Sequence, residues 1–195
     1  TDVVLLAGLG LVAPVFAVFI LEQIADSTLV TIGISSAIFW LVKSFLQIPI
    51  ANFLDKRRDE RLSFYVLIVG LVLVALAAFS FTFIEDIWQL YLVQLLHAVA
   101  MSLYIPSWSG MFSRHLDKEH YSLDWSLDST AIGISAGVTG ALGGILAKAF
   151  GFNINFVIAG IASLLAIFTV LSVPQLIFPG KAQDMPTPIK DHSPR

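Results

Sequence analysis

The chain has 195 residues, 57% of them hydrophobic and only 13% charged, with a mean hydropathy of +0.85. That excludes an ordinary soluble domain, in which about a quarter of residues are charged. The absence of cysteine excludes disulfides, thiolate metal centres and thiol catalysis, and a net charge of −3 identifies no partner, because in so apolar a chain the position of the charges carries the information.

A membrane-spanning helix needs about 20 apolar residues, and six segments meet this in chain order: Val3 to Leu21, Thr28 to Leu54, Leu62 to Ile84, Ile87 to Phe112, Leu127 to Phe150 and Phe152 to Val173. The runs are long and continuously apolar, unlike the short alternating strands of an outer-membrane barrel. The expected fold class is therefore an all-α membrane protein, a bundle of six transmembrane helices over residues 1–173. The first segment has neither a basic leader nor a small-residue cleavage site, so it reads as a true span rather than a removed signal peptide. Thr1 in place of Met suggests processing or an incomplete amino terminus. Residues 174–195 carry Pro174, Pro179, Pro186, Pro188 and Pro194 among polar residues and read as a flexible tail.

Loop charge sets the orientation. Lys56, Arg57, Arg58 and Arg61 follow the second segment, Arg114 and Lys118 the fourth, and Lys181, Lys190 and Arg195 the sixth. The opposite loops, around 22–27, 85–86 and Gly151, have no basic residue apart from Lys148 at an edge. The positive-inside rule then puts both termini in the cytoplasm, with the cytoplasmic (inner) membrane as the expected location.

Segments three and six are apolar on every side and are expected to face lipid. The second carries Ser36, Trp40, Lys43 and Gln47 on one face, the fourth Gln94, His97, Met101, Tyr104 and Trp108, and the fifth Asp128, Ser135 and Thr139. Such polar stripes are expected to face protein or a water-filled cavity.

Several stretches then resemble the major facilitator superfamily, whose signature after its second helix is Gly-x-x-x-Asp-Arg/Lys-x-Gly-Arg-Arg. Ala51, Asp55 and Lys56 occupy its first, fifth and sixth positions. Arg58 stands at the second glycine, Asp59 and Glu60 at the basic positions, and Arg61 just beyond. Gly8, Gly10 and Pro14-Val15 are similar to the family's glycine-rich first helix. Gln94 and Pro106 match its fourth-helix motif, with Tyr91 in place of the usual arginine and His97 in place of a glycine. Gly133, Gly137, Gly140, Gly143 and Gly144 resemble the glycine-rich fifth-helix motif without its proline, so antiport is not supported and close helix packing explains the same spacing. The resemblance covers nearly the whole chain and is greatest to the amino-terminal six-helix half. It implies a latch-like gating role for Asp55, Lys56, Arg58 and Arg61.

Lys43 is the most unusual residue, because an ammonium near mid-span costs about 2.5–3.5 kcal/mol to insert. It lines a cavity and attracts an anion, or carries a proton, or is a buried lysine held by Gln47, Gln94 and backbone carbonyls. The cavity reading expects it beside Gln47 and, across a dimer interface, Gln94 and His97. His97 is either a titrating member of that stripe or a packing residue. Trp40, Tyr104 and Trp108 either stack on a ligand or anchor the bundle. His115 and His120 flank a charged loop and read as solvated. No phosphate-binding loop, metal-ligand pair or nucleophile motif occurs, so no enzyme, metal or cofactor is expected, and the basic cluster reflects topology rather than nucleic acid.

The resulting expectation is transport of a small solute, with a lean toward anions, by alternating access. The chain would be a half-size transporter in a parallel homodimer. The alternatives are a non-transporting scaffold with the same fold, or the amino-terminal half of a longer twelve-helix transporter.

Overall fold

The computed structural model describes residues 1–57, 59–114 and 120–172. Arg58, Lys118, His115 and the proline-rich segment 174–195 lie outside the described residues. Every regular element within them is helical: α1 (Asp2–Val12), α2 (Phe16–Gln23), α3 (Leu29–Arg57), α4 (Glu60–Ser80) with a 3₁₀ turn at Phe81–Phe83, α5 (Ile87–Arg114), α6 (Tyr121–Phe150) and α7 (Asn153–Leu171). Among the described residues five helices are long and apolar enough to span a membrane, and α1 and α2, which meet at a bend of 43°, make a sixth when the pair is taken as one span.

The bend has a local cause. Pro14 has no N–H to donate, and the Val15 amide turns to the Val12 carbonyl, 3.1 Å away, instead of reaching Leu11 one step further back. The Leu11 carbonyl is thereby released from the helix, and Asn155 Nδ2 of α7 donates to it at 3.2 Å. Other ends are closed by side chains. The Thr28 and Thr31 hydroxyls accept from each other's amides at the start of α3. Asp59 accepts from the Arg61 amide at the start of α4. Gln89 Oε1 accepts from the amides of Glu85 and Asp86 at the start of α5. Between α6 and α7 the chain reverses through Gly151, whose φ of +83° suits a residue without a Cβ.

The principal packing runs α3, α5, α4, α7, α1, α6, so the bundle is an arc with α3 and α6 at its two ends. This reverses part of the expected sorting. Half of the α4 span (50%) is buried, against 11% for α3 and 6% for α6. The third segment is not a lipid-facing helix but the centre of the arc. Its small residues Gly70, Ala75, Ala77 and Ala78 are buried and admit α5 and α7 closely; at Gly70 a Cβ would lie 2.9 Å from the Tyr104 nitrogen. The sixth segment, α7, is likewise packed on both α1 and α4. Two clusters fill the arc: Leu5, Phe64, Leu67, Leu71 and Tyr104 toward the end that carries Lys56 and Arg114, and Phe19, Ile20, Phe81 and Phe156 toward the other.

Candidate functional site

Where α1 bends into α2, the arc leaves a cavity of about 310 Å³. Val12, Ala13 and Phe16 form its wall at the bend. Ser36, Phe39 and Trp40 come from α3, Gln94 and His97 from α5, and Phe81 and Phe156 stand behind. The rings interlock: Phe81 and Phe156 stack at 5.1 Å, Phe16 meets Phe81 edge-on at 5.4 Å, and Phe39 lies 4.8 Å from the His97 ring.

The polar groups on this wall are few. Gln94 is buried, and its Nε2 donates to Ser35 Oγ at 3.0 Å, which fixes the amide orientation. Gln94 Oε1 and His97 Nε2 are buried and find no hydrogen-bond partner among the described residues. Lys43 sits one helical turn from Trp40, its ammonium 4.2 Å from the Trp40 ring centroid and 5.7 Å from that of Phe39. Among the described residues it forms no ion pair.

The structure therefore divides the expected polar set. Trp40, Gln94 and His97 share the cavity, and Lys43 flanks it through Trp40. The four belong to one chain, because α3 packs directly on α5, so Gln94 and His97 need no interface between copies to approach Lys43. Gln47 is elsewhere: with Asp55, Ser109, Ser113 and Arg114 it lines a second cavity of about 260 Å³ at the basic end. Tyr104 does not face the main cavity. It is buried in the core, and its hydroxyl donates to the Asp2 carboxylate across α1 and α5. Ser36 and Asp128 remain partly buried on their helices, Met101 is buried in the same core as Tyr104, and Trp108 stacks on Phe112 at 5.8 Å.

Asp55, Lys56 and Arg61 are exposed at the basic end, where Arg114 lies 4.0 Å from Glu60. Of the five glycines of α6, Gly143 packs against the Leu11 backbone and Gly140 lies near Gly10 and Pro14. A Cβ added at Gly133, Gly137 or Gly144 would meet nothing within 4 Å beyond its own helix among the described residues. Ala136, Thr139 and Gly143 form the strip of α6 that meets α1, so the other three glycines fall on a different flank, where an added Cβ would meet no other element among the described residues.

Sequence reasoning missed several buried polar residues, among them Ser35, which anchors Gln94, and also Asp2 and Asn155. Asp2 stands at the first helical position and reads as an interfacial charge. Asn155 looks like a helix-start residue, yet it is fully buried and donates both to Leu11 and to the Gly143 carbonyl at 2.9 Å. A proline-broken first span was the available signal for the latter, since a freed carbonyl requires a donor.

Residues 3–192 match the sequence pattern of the Major Facilitator Superfamily. A relative described as an uncharacterized MFS-type transporter, from Methanocaldococcus jannaschii, is 20% identical over 172 residues, which is 88% of this chain and 43% of the relative. The chain thus spans less than half the length of that relative. With the match extending over nearly all of its residues, and with its helices long and apolar enough to cross a bilayer, this integral membrane chain belongs to the major facilitator superfamily.

Proposed function

We propose that the chain is one six-helix half of an alternating-access transporter for a small solute, and that the bound solute meets the wall formed by Trp40, Gln94 and His97. The observation that carries this reading is the open arc. Its end helices α3 and α6 are almost wholly uncovered, and a cavity with unpartnered polar atoms lies between the helices they flank. A scaffold would fill such a space with apolar side chains. Lys43, whose ammonium stands over the Trp40 and Phe39 rings and forms no ion pair among the described residues, favours an anionic solute. Asp55 and Lys56 at the basic end serve as the latch, with both termini cytoplasmic in the inner membrane.

The second half is another copy of the chain, related by a two-fold axis along the membrane normal, as the halves of this family are. The flank of α6 bearing Gly133, Gly137 and Gly144 suits close contact between copies. The relative's greater length favours a second reading, in which the partner half is continuous with this one in a longer polypeptide. The test is the mass of the purified chain in lipid nanodiscs, combined with uptake of small organic anions into proteoliposomes. Two chains per particle with saturable uptake support the homodimer. A monomer without uptake overturns it, and uptake restored by adding a separate six-helix half establishes the second reading.

A further inference from the structure

The reading above takes the cavity as the solute site, and its wall is specific enough to name a ligand class. Gln94 is 5% exposed and is held by Ser35, so its Oε1 is a fixed acceptor, and His97 Nε2 is a second buried polar atom one turn along the same helix. A buried acceptor left without a donor costs about 1–3 kcal/mol. The fixed Gln94 acceptor on a largely apolar wall therefore favours a guest that brings a donor. The remaining surface combines rings, with Phe39 against His97 and Phe81 stacked on Phe156, with small and aliphatic side chains such as Val12, Ala13 and Val74 and the Ser36 hydroxyl. The volume of about 310 Å³ is at the small end of ligand pockets, enough for one substituted ring. The uncompensated ammonium of Lys43 stands beside Trp40 at the rim.

We propose that this cavity binds a single-ring aromatic carboxylate bearing a hydroxyl or N–H donor, with the ring among Phe39, Phe81 and Phe156, the donor on Gln94 Oε1 and the carboxylate toward Lys43. The three requirements are separable. The ring selects against aliphatic acids, the donor against unsubstituted rings, and the charge against neutral phenols. Losing a hydrogen bond to a buried acceptor lowers affinity by about tenfold.

The test uses the full chain in phosphatidylcholine nanodiscs and equilibrium dialysis of 4-hydroxybenzoate, benzoate and phenol. 4-Hydroxybenzoate is expected to bind about tenfold more tightly than either of the others. Gln94→Leu is expected to abolish its advantage over benzoate. Equal affinities for 4-hydroxybenzoate and benzoate, no saturable binding of any probe, or an advantage that survives Gln94→Leu would each overturn the proposal. Should Gln94→Leu not fold, Ser35→Ala releases the amide from its anchor and narrows the same ratio, and an unchanged ratio is contrary. Equilibrium dialysis reads binding without requiring translocation. A chain that binds 4-hydroxybenzoate selectively but carries nothing defeats the transport reading alone. Uptake without this selectivity defeats the ligand assignment alone.

Discussion

Asn155 is the residue whose removal most directly tests the account of the broken first span. Its Nδ2 donates to Leu11 at 3.2 Å and to Gly143 at 2.9 Å, joining α1, α6 and α7 at the level of the bend. Asn155→Leu preserves volume and removes both bonds. The two acceptors then fare differently. The Gly143 carbonyl still accepts within α6, whereas the Leu11 carbonyl has lost its helical donor because the Val15 amide has turned to Val12. The expected cost is therefore that of one orphaned acceptor rather than two. Hydrogen bonds between membrane helices average about 0.6 kcal/mol and reach about 1.7, and an unsatisfied buried carbonyl costs about 1–3 kcal/mol. The overlap gives about 1–2 kcal/mol.

For a chain of this size that corresponds to a fall of roughly 2–8 °C in melting temperature, measured by fluorescence-detected size exclusion after heating in a mild detergent. Asn155→Gln, longer by a methylene, should recover part of the loss. A second substitution separates this account from simple packing: Pro14→Ala restores an amide donor and lets the first span close its own hydrogen bonds, so Asn155→Leu should cost less in that background. A melting temperature unchanged by Asn155→Leu, or the same loss with and without Pro14, would refute the reasoning.

Gly143→Val should lower the melting temperature further, because a Cβ there would lie 2.8 Å from the Leu11 carbonyl carbon and backbone cannot yield as a side chain can; about 1–3 kcal/mol is expected, and Gly133→Val, with open space around it, serves as the control that should change little in the monomer. If the halves pair as proposed, with the Asp55 carboxylate at the amino terminus of the partner's α6, where unpaired N–H groups gather, Asp55→Asn should weaken that pairing. Cysteine cross-linking between positions 55 and 126 measures this, and links formed only within one protomer would be contrary.

The spans were legible because about 20 consecutive apolar residues leave few alternatives to a bilayer. Their order in the bundle was not. In lipid an apolar face is as content outside as inside, so the uniform apolarity of α4 carried no information; its small residues Gly70, Ala75, Ala77 and Ala78 did. The start of α6 was placed late, because Ser122, Asp124 and Asp128 make its first turns polar although they remain helical.

The site was partly legible. Steps of three and four put Trp40 with Lys43, and Gln94 with His97, and in the structure each pair lies close together. Tyr104 was grouped with Gln94 over ten residues, across which a helix turns to about 80° from the starting face, enough to carry Tyr104 off the cavity and into the core beside Asp2. Gln47 stays on the Trp40 face but lies about 10 Å further along the axis, which puts it in the second cavity.

The energetics of Lys43 connect fold to function. An ammonium at mid-span costs about 2.5–3.5 kcal/mol, and the Trp40 and Phe39 faces return about 0.5–2 kcal/mol. No acidic side chain among the described residues supplies the rest. The difference falls on water or an anion at the uncovered side of α3, where Trp40 is 59% exposed. A residue kept at such a cost for packing alone would be replaced by methionine with no loss. The two roles thus predict opposite pairings of stability and binding. If Lys43 serves an anionic solute, Lys43→Met should raise the melting temperature by a few degrees and reduce anion binding about tenfold or more, with Lys43→Arg recovering part of the binding. If Lys43 serves the fold, Lys43→Met should lower the melting temperature and leave binding and uptake at their original level. That second result would remove the electrostatic basis for an anionic solute while leaving the cavity and the family assignment intact.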